Sequence, residues 1–133
     1  MNGFRVCLLG SDASETIEDV RSFVGEDASG SFGLMAHHAR FMTVLGFGLA
    51  RLRIGDGAQA HTCYVGLPGG LLVFDDIELR ISTRRYLLGD DAAALGQALA
   101  RQVLAEEQAL AQTLQKLRRL EADMLRRLVQ LER

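Results

Sequence analysis

The chain has 133 residues, enough for one compact domain and an appendage but not for two full domains. Its formal net charge is only -2, so no field of one sign marks nucleic acid or anionic lipid as the main partner. The two cysteines, Cys7 and Cys63, have no framework spacing and read as two small buried apolar residues of a reducing compartment. The apolar start of the chain is too short for a secretory signal, and the longest nearly apolar run, residues 41–50, falls well below the ~20 residues of a membrane span.

Residues 1–89 hold thirteen of the fourteen glycines and read as short strands broken by turns. Phe4, Val6 and Leu8 alternate with Arg5 and Cys7, which predicts a first strand with one buried face. Residues 15–24 alternate more loosely through Ile17, Val20 and Phe23, and a loop is expected over residues 25–30. Short apolar pieces follow at 32–35 and 41–45. The plainest hairpin comes next: Leu52 and Ile54 alternate with Arg51 and Arg53, the turn is Gly55-Asp56-Gly57, and the return strand runs to Val65. Asp-Gly is favoured there because Gly accepts the positive φ of tight hairpin turns. A second hairpin is predicted around Asp75-Asp76, with Leu71–Phe74 before it and Ile77, Leu79 and Ile81 after it. Eight to ten short strands at this spacing predict an all-β sandwich, not a parallel α/β sheet.

Residues 90–133 are Ala- and Leu-rich, with Gly96 as the only breaker. Leu95, Leu99 and Val103 form one helical stripe; Leu110, Leu114, Leu117, Leu120, Met124, Leu128 and Leu131 form another. Asp90 and Asp91 supply an N-cap and a negative start. Residues 90–107 carry four acids and one base, residues 108–133 three acids and six bases, so the helical tail ends basic. The tail is either one long helix or a hairpin turning at residues 105–109; its amount of unpartnered Leu favours the hairpin. The division expected is therefore a β head over 1–89 and a helical tail over 90–133.

No catalytic or metal set stands out. His61 and Cys63 share one strand face and His37 and His38 lie elsewhere, but their spacing is no ligand pattern, and a Cys-His pair lacks a third orienting group. Gly46-Phe47-Gly48 is a fragment of a phosphate loop with no helix after it. No catalytic residue, cofactor or metal is expected.

The run Gly33-Leu34-Met35-Ala36-His37-His38-Ala39-Arg40-Phe41-Met42-Thr43 resembles the epsilon-subunit signature of F-type ATP synthases, Gly-(Ile/Val)-x-Pro-Gly-His-Ala-Pro-Leu-Leu-(Thr/Ser). Gly33, His38, Ala39 and Thr43 match it directly, and Leu34, Phe41 and Met42 match in character. Tyr64 followed by Gly69-Gly70-Leu71-Leu72 is similar to the family's Tyr-(Leu/Val)-x-Gly-Gly-(Ile/Leu)-Leu segment, with two extra residues. The usual Pro-Gly is Ala36-His37 here and the Pro after the motif His is Arg40, a drift like that of the divergent bacterial type sometimes called N-ATPase.

The resemblance implies a non-catalytic rotor subunit: a head that clamps the gamma subunit and rests on the ring of c subunits, peripheral at the cytoplasmic face of the bacterial inner membrane. It places Glu26, Asp27, Gly33, His38, Ala39, Arg40 and Met42 near that contact. It also implies a tail able to extend and inhibit ATP hydrolysis, where Arg118, Arg119, Arg126 and Arg127 would meet acidic segments of the catalytic alpha and beta subunits. The family's Asp-x-x-Arg-Ala nucleotide element lacks its Arg in Asp90-Asp91-Ala92-Ala93-Ala94-Leu95-Gly96, which argues against ATP sensing by this tail. The competing reading is an adaptor whose β domain binds a partner and whose tail oligomerises as a coiled coil.

Overall fold

The computed structural model describes residues 3–132: nine strands, one 3-10 turn and one helix. The strands are β1 (Phe4–Leu9), β2 (Ser14–Asp27), β3 (Gly30–Leu34), β4 (Phe41–Leu45), β5 (Gly48–Ile54), β6 (His61–Leu67), β7 (Gly70–Asp75), β8 (Glu78–Ser82) and β9 (Leu87–Gly89), followed by α1 (Ala92–Leu131). The expected all-β head followed by a helical tail is what the chain forms.

Pairing sorts the strands into two layers that share β2. Its first half pairs antiparallel with β1; β1 pairs parallel with β8, and β8, β7 and β4 follow antiparallel. Its second half lies between β3 and β5, and β6 and β9 continue that layer. The changeover is a bulge. Phe4 faces Val20 but Val6 faces Ile17, so β2 spends one residue more than β1 there, and Asp19 takes φ +57°. This extra residue, with a second irregularity against β5 between Val20 and Ser22, explains the loose alternation of β2, where the inward residues Ile17, Val20 and Phe23 fall three apart instead of two.

The core lies between the layers. Val6, Leu8, Val20, Phe23, Leu52, Val65, Leu72, Phe74, Leu79 and Ile81 are all sealed from solvent, and the Phe4 ring meets Phe74 edge to face at 5.4 Å between centroids. Leu95 and Leu99 also belong to the head: they pack on β6 at Gly66, where a Cβ would already stand 3.5 Å from Leu99 Cδ2 and 3.6 Å from Leu95 Cγ. A larger side chain at Gly66 would lift the first turns of the helix off the sheet. The two compact units of the chain divide after Leu99, inside the helix.

Three expectations shift. The loop expected over 25–30 is mostly strand, because β2 runs to Asp27 and β3 starts at Gly30, whose φ of +118° suits Gly alone. The return strand after Gly55-Asp56-Gly57 waits until His61, since a 3-10 turn over Gly57–Gln59 comes first. Ile77 is not a strand residue; it sits exposed with Asp76 in the two-residue turn between β7 and β8.

The hairpin favoured for the tail is not formed. Residues 92–131 make one helix of 40 residues, roughly 60 Å at ~1.5 Å per residue. Ala105-Glu106-Glu107-Gln108-Ala109 breaks the apolar stripe but contains only good helix formers, so its backbone has no reason to turn. The start is capped by Asp91, whose Oδ1 accepts the backbone N–H groups of Ala93 at 3.0 Å and Ala94 at 3.3 Å.

Replacing Phe74 by Ala should remove about 3–5 kcal/mol of stability, read by urea denaturation. Asp91→Ala should cost about 1 kcal/mol and Asp91→Asn much less, because Asn still offers a capping oxygen.

Candidate functional site

The outer face of β4 and β7 is one of two apolar surfaces that a lone chain does not explain, the other being the leucine face of α1. β4 is an edge strand: it pairs with β7 along its whole length and with β2 only at Leu45 opposite Asp27. Pleating turns Phe41, Thr43 and Leu45 inward and Met42 and Val44 outward. Opposite them on β7, in register, stand Val73 and Leu71. Met42, Val44 and Leu71 are 68%, 67% and 42% exposed. Farther across the same layer the outward residues are mostly polar: Glu78, Arg80 and Ser82 on β8, then Arg5 and Cys7 on β1, with the exposed Leu9 beside Ser82 as the apolar exception. Arg80 donates to Glu78 at 2.6 Å and holds that carboxyl below its ordinary value, and Arg5 pairs with Glu18 at 2.9 Å. The layer thus presents an apolar strip at its β4 edge and neutralised charges beside it.

Of the residues expected at the contact, only Met42 points into this strip. His38, Ala39 and Arg40 lie on the exposed connection from β3 to β4, at the strip's end. That connection is fastened to the β7–β8 turn by two links. The backbone N–H of His37 donates to the Asp76 carbonyl at 2.9 Å, and His37 Nδ1 lies 2.8 Å from Asp76 Oδ1. Both residues take positive φ, +67° and +57°, a conformation uncommon for non-Gly residues but most accessible to Asn, Asp and His. Arg40 reaches Asp75 at 3.8 Å, while the His38 ring stands edge-on to Phe41 and Phe74, with centroids 6.0 and 6.1 Å away.

Gly33 lies on β3 opposite Val24. Glu26 and Asp27 end β2 near the other end of β4. Glu26 is exposed and its carbonyl accepts the Gly46 N–H at 3.3 Å. Asp27 turns inward on its own chain: Oδ1 accepts the Ser29 hydroxyl at 2.6 Å and the Ser29 N–H at 2.9 Å, and Oδ2 accepts the Thr43 hydroxyl at 2.6 Å. These bonds, the Ser29 hydroxyl foremost and Thr43 next, hold its carboxyl below the ordinary Asp value.

Arg118, Arg119, Arg126 and Arg127 are exposed along the helix; Arg126 is bonded to Asp123 one turn before it. The face bearing Leu110, Leu114, Leu117, Leu120, Met124, Leu128 and Leu131 is exposed as well. Among the described residues no three His, Cys, Asp or Glu side chains gather into a metal-sized group, and no helix is long and apolar enough to cross a membrane. Burial pushes the Cys63 thiol up, away from the thiolate a nucleophile needs.

Sequence reasoning missed Val44, Leu71 and Val73. The signal was present: the run Phe41-Met42-Thr43-Val44-Leu45 is apolar at both parities, which a strand with one solvated face does not need.

Because its folded-state carboxyl is held low, Asp27 stabilises the chain above the ordinary Asp range, and this contribution is lost as pH falls through the depressed value. Asp27→Asn should therefore melt lower than the wild type at pH 7, with the gap closing below about pH 4. Thermal melts from pH 2 to 7 read this directly; a gap that persisted in acid would refute it.

Residues 4–89 match the family described as ATP synthase, Delta/Epsilon chain, beta-sandwich domain. The chain is 34% identical over 113 residues to ATP synthase epsilon chain 2 of Cereibacter sphaeroides, a match covering 84% of this chain and 75% of that one. Among solved structures it is similar to a chain of the Tetrahymena thermophila mitochondrial ATP synthase central stalk and c ring, with TM-score 0.53, 12% identity, and 63% of this chain and 65% of that one covered. A chain of the Euglena gracilis mitochondrial ATP synthase (OSCP/F1/c-ring) gives TM-score 0.57 and 17% identity over 74% of this chain and 62% of that one. These two likenesses concern the fold, and this chain spans just under two thirds of either solved chain. The family match over the whole β head, together with the identity that runs on into the rest of the chain, shows that the protein belongs to the epsilon-subunit family of ATP synthases.

Proposed function

We propose that the chain is a non-catalytic rotor subunit of the central stalk, docking on the gamma subunit and the c ring and helping couple ion translocation to ATP synthesis or hydrolysis. The observation that carries this reading is the in-register apolar strip Met42, Val44, Leu71 and Val73 at an edge strand. Such a strip, bordered by self-paired charges, is the surface of a partner interface, with apolar centre and polar rim. Met42 sits in the strip; His38, Ala39 and Arg40 cap one end, and Glu26, Asp27 and Gly33 lie along the neighbouring strands.

The gamma subunit takes the strip, and the polar connections at the strand ends meet the c ring. The chain is then peripheral at the cytoplasmic face of the bacterial inner membrane, held there by its partners. The tail extends toward the catalytic alpha and beta subunits, where Arg118, Arg119, Arg126 and Arg127 meet acidic segments and restrain ATP hydrolysis. Each exposed pair contributes only ~0–1 kcal/mol, so restraint needs the four acting together with the apolar face of the helix.

Gel filtration of the purified chain with its cognate gamma subunit tests the docking. A stable one-to-one complex is expected, and the double variant Met42→Glu/Val44→Glu should abolish it without lowering the melting temperature, since both side chains are already exposed. A complex indifferent to that variant would remove the strip from the interface. Tail function is tested by truncation after Leu99, not after Gly89, because Leu95 and Leu99 cover the head at Gly66. Faster ATP hydrolysis by the reassembled enzyme is expected; an unchanged rate would exclude inhibition.

A further inference from the structure

The acids Glu26 and Asp27 are neighbours in sequence, but the fold gives them opposite surroundings. Three donors of its own chain occupy the Asp27 carboxylate, two from Ser29 across the β2–β3 turn and one from Thr43 on β4. An ionised carboxylate offers about four acceptor positions, so little is left for an outside cation. Glu26 is exposed, and its side chain has no hydrogen bond or ion pair among the described residues. The backbone underlines why the Asp27 bonds matter. Leu45 opposite Asp27 is the only ladder pair joining β4 to β2, supported by the Gly46 N–H on the Glu26 carbonyl. Every other ladder pair of β4 is with β7. Among the described residues the bond between Asp27 and Thr43 is therefore the one side-chain hydrogen bond that ties the edge strand to the second layer, beside the ring contact of Phe41 with Phe32 at 5.2 Å.

We infer that Asp27 and Thr43 are positioning residues that hold β4, and with it Met42 and Val44, in the docking geometry, while Glu26 is the acid that meets a cation on the partner. This rests on the docking proposed for the β4–β7 strip and assigns separate tasks to two acids that the sequence presents as a pair. A clasp acts through the strand it holds, so its loss through Thr43 weakens docking without changing the charge that the partner sees. A surface acid acts through its charge, so its loss flattens the salt dependence of binding.

The test is titration of the full chain onto its gamma subunit at several salt concentrations. Asp27→Asn and Thr43→Val should each weaken binding several-fold, the double variant should be no weaker than the poorer single one, and Thr43→Ser should restore the wild-type affinity. Thr43→Val should leave the salt slope unchanged, whereas Glu26→Gln should flatten it. Additive losses for Asp27→Asn and Thr43→Val would overturn the clasp, and a salt slope untouched by Glu26→Gln would overturn the role of Glu26. Amide exchange of residues 41–45 in the free chain separates this idea from the docking proposal. Faster exchange is expected in both clasp variants, and unchanged exchange refutes the clasp even where no gamma complex forms.

Discussion

The bend in β2 is the constraint on which the head depends. A strand of 14 residues that ran straight would serve one layer; the bulge at Asp19 lets its first half pair with β1 and its second half with β3 and β5. The inward side chains Val20 and Phe23 follow that point and are sealed from solvent. Each large core side chain contributes about 1.5–3 kcal/mol by burial, and most of the core touches a layer whose position β2 sets. The bend is held locally: Arg21 pairs with Asp19 at 2.9 Å and with Asp56 at 3.5 Å, and the Gly55 N–H donates to the Asp19 carbonyl at 2.9 Å. A positive φ at Asp19 is thus supported from the β5–β6 turn.

Two layers joined through one strand leave edges, and the edges carry the interest. β4 is bound on one side by β7 and nearly free on the other, and its exposed residues are Met42 and Val44 instead of the Lys or Pro that usually blunts an edge. An apolar edge strand in a chain with net charge of only -2 invites association. The fold tolerates it because the strand is five residues long and its neighbours on the same layer, Glu78, Arg80, Arg5 and Glu18, are polar and paired among themselves. Shortness limits random pairing, and the apolar pair of side chains per strand leaves a flat area suited to one partner.

Much of this was legible in the sequence because buried strands alternate. Phe4, Val6 and Leu8 announced β1, and the Asp-Gly and Asp-Asp turns located two hairpins. What stayed hidden depends on long-range pairing. The parallel match of β1 with β8 joins residues more than seventy positions apart, and the three-residue β9 has too short a pattern to stand out. The bulge erased the period of β2, and the turn-like composition of Gly25-Glu26-Asp27-Ala28-Ser29-Gly30 disguised its end. At the candidate site the family-like motif pointed to His38 through Met42, but not to Leu71 and Val73. Those two face outward only because β7 meets β4 in one register. The separate surroundings of Glu26 and Asp27 were equally invisible, since they depend on Thr43 arriving from another strand.

The tail shows the opposite relation between sequence and structure. Unpartnered leucines argued for a hairpin, on the premise that an amphipathic helix requires packing in order to form. That premise fails for a long, Ala- and Leu-rich segment. Isolated helices are marginal below ~12–15 residues, while α1 runs for 40 and has a capped start. Propagation along good helix formers stabilises the backbone without tertiary help, so the apolar side chains are not consumed in making the helix. Leu110, Leu114, Leu117, Met124, Leu128 and Leu131 follow one another at alternating steps of four and three or seven, the spacing of a seam for another long helix, with Glu121 the one acid in that line. Local propensity builds the helix, and its apolar seam remains exposed.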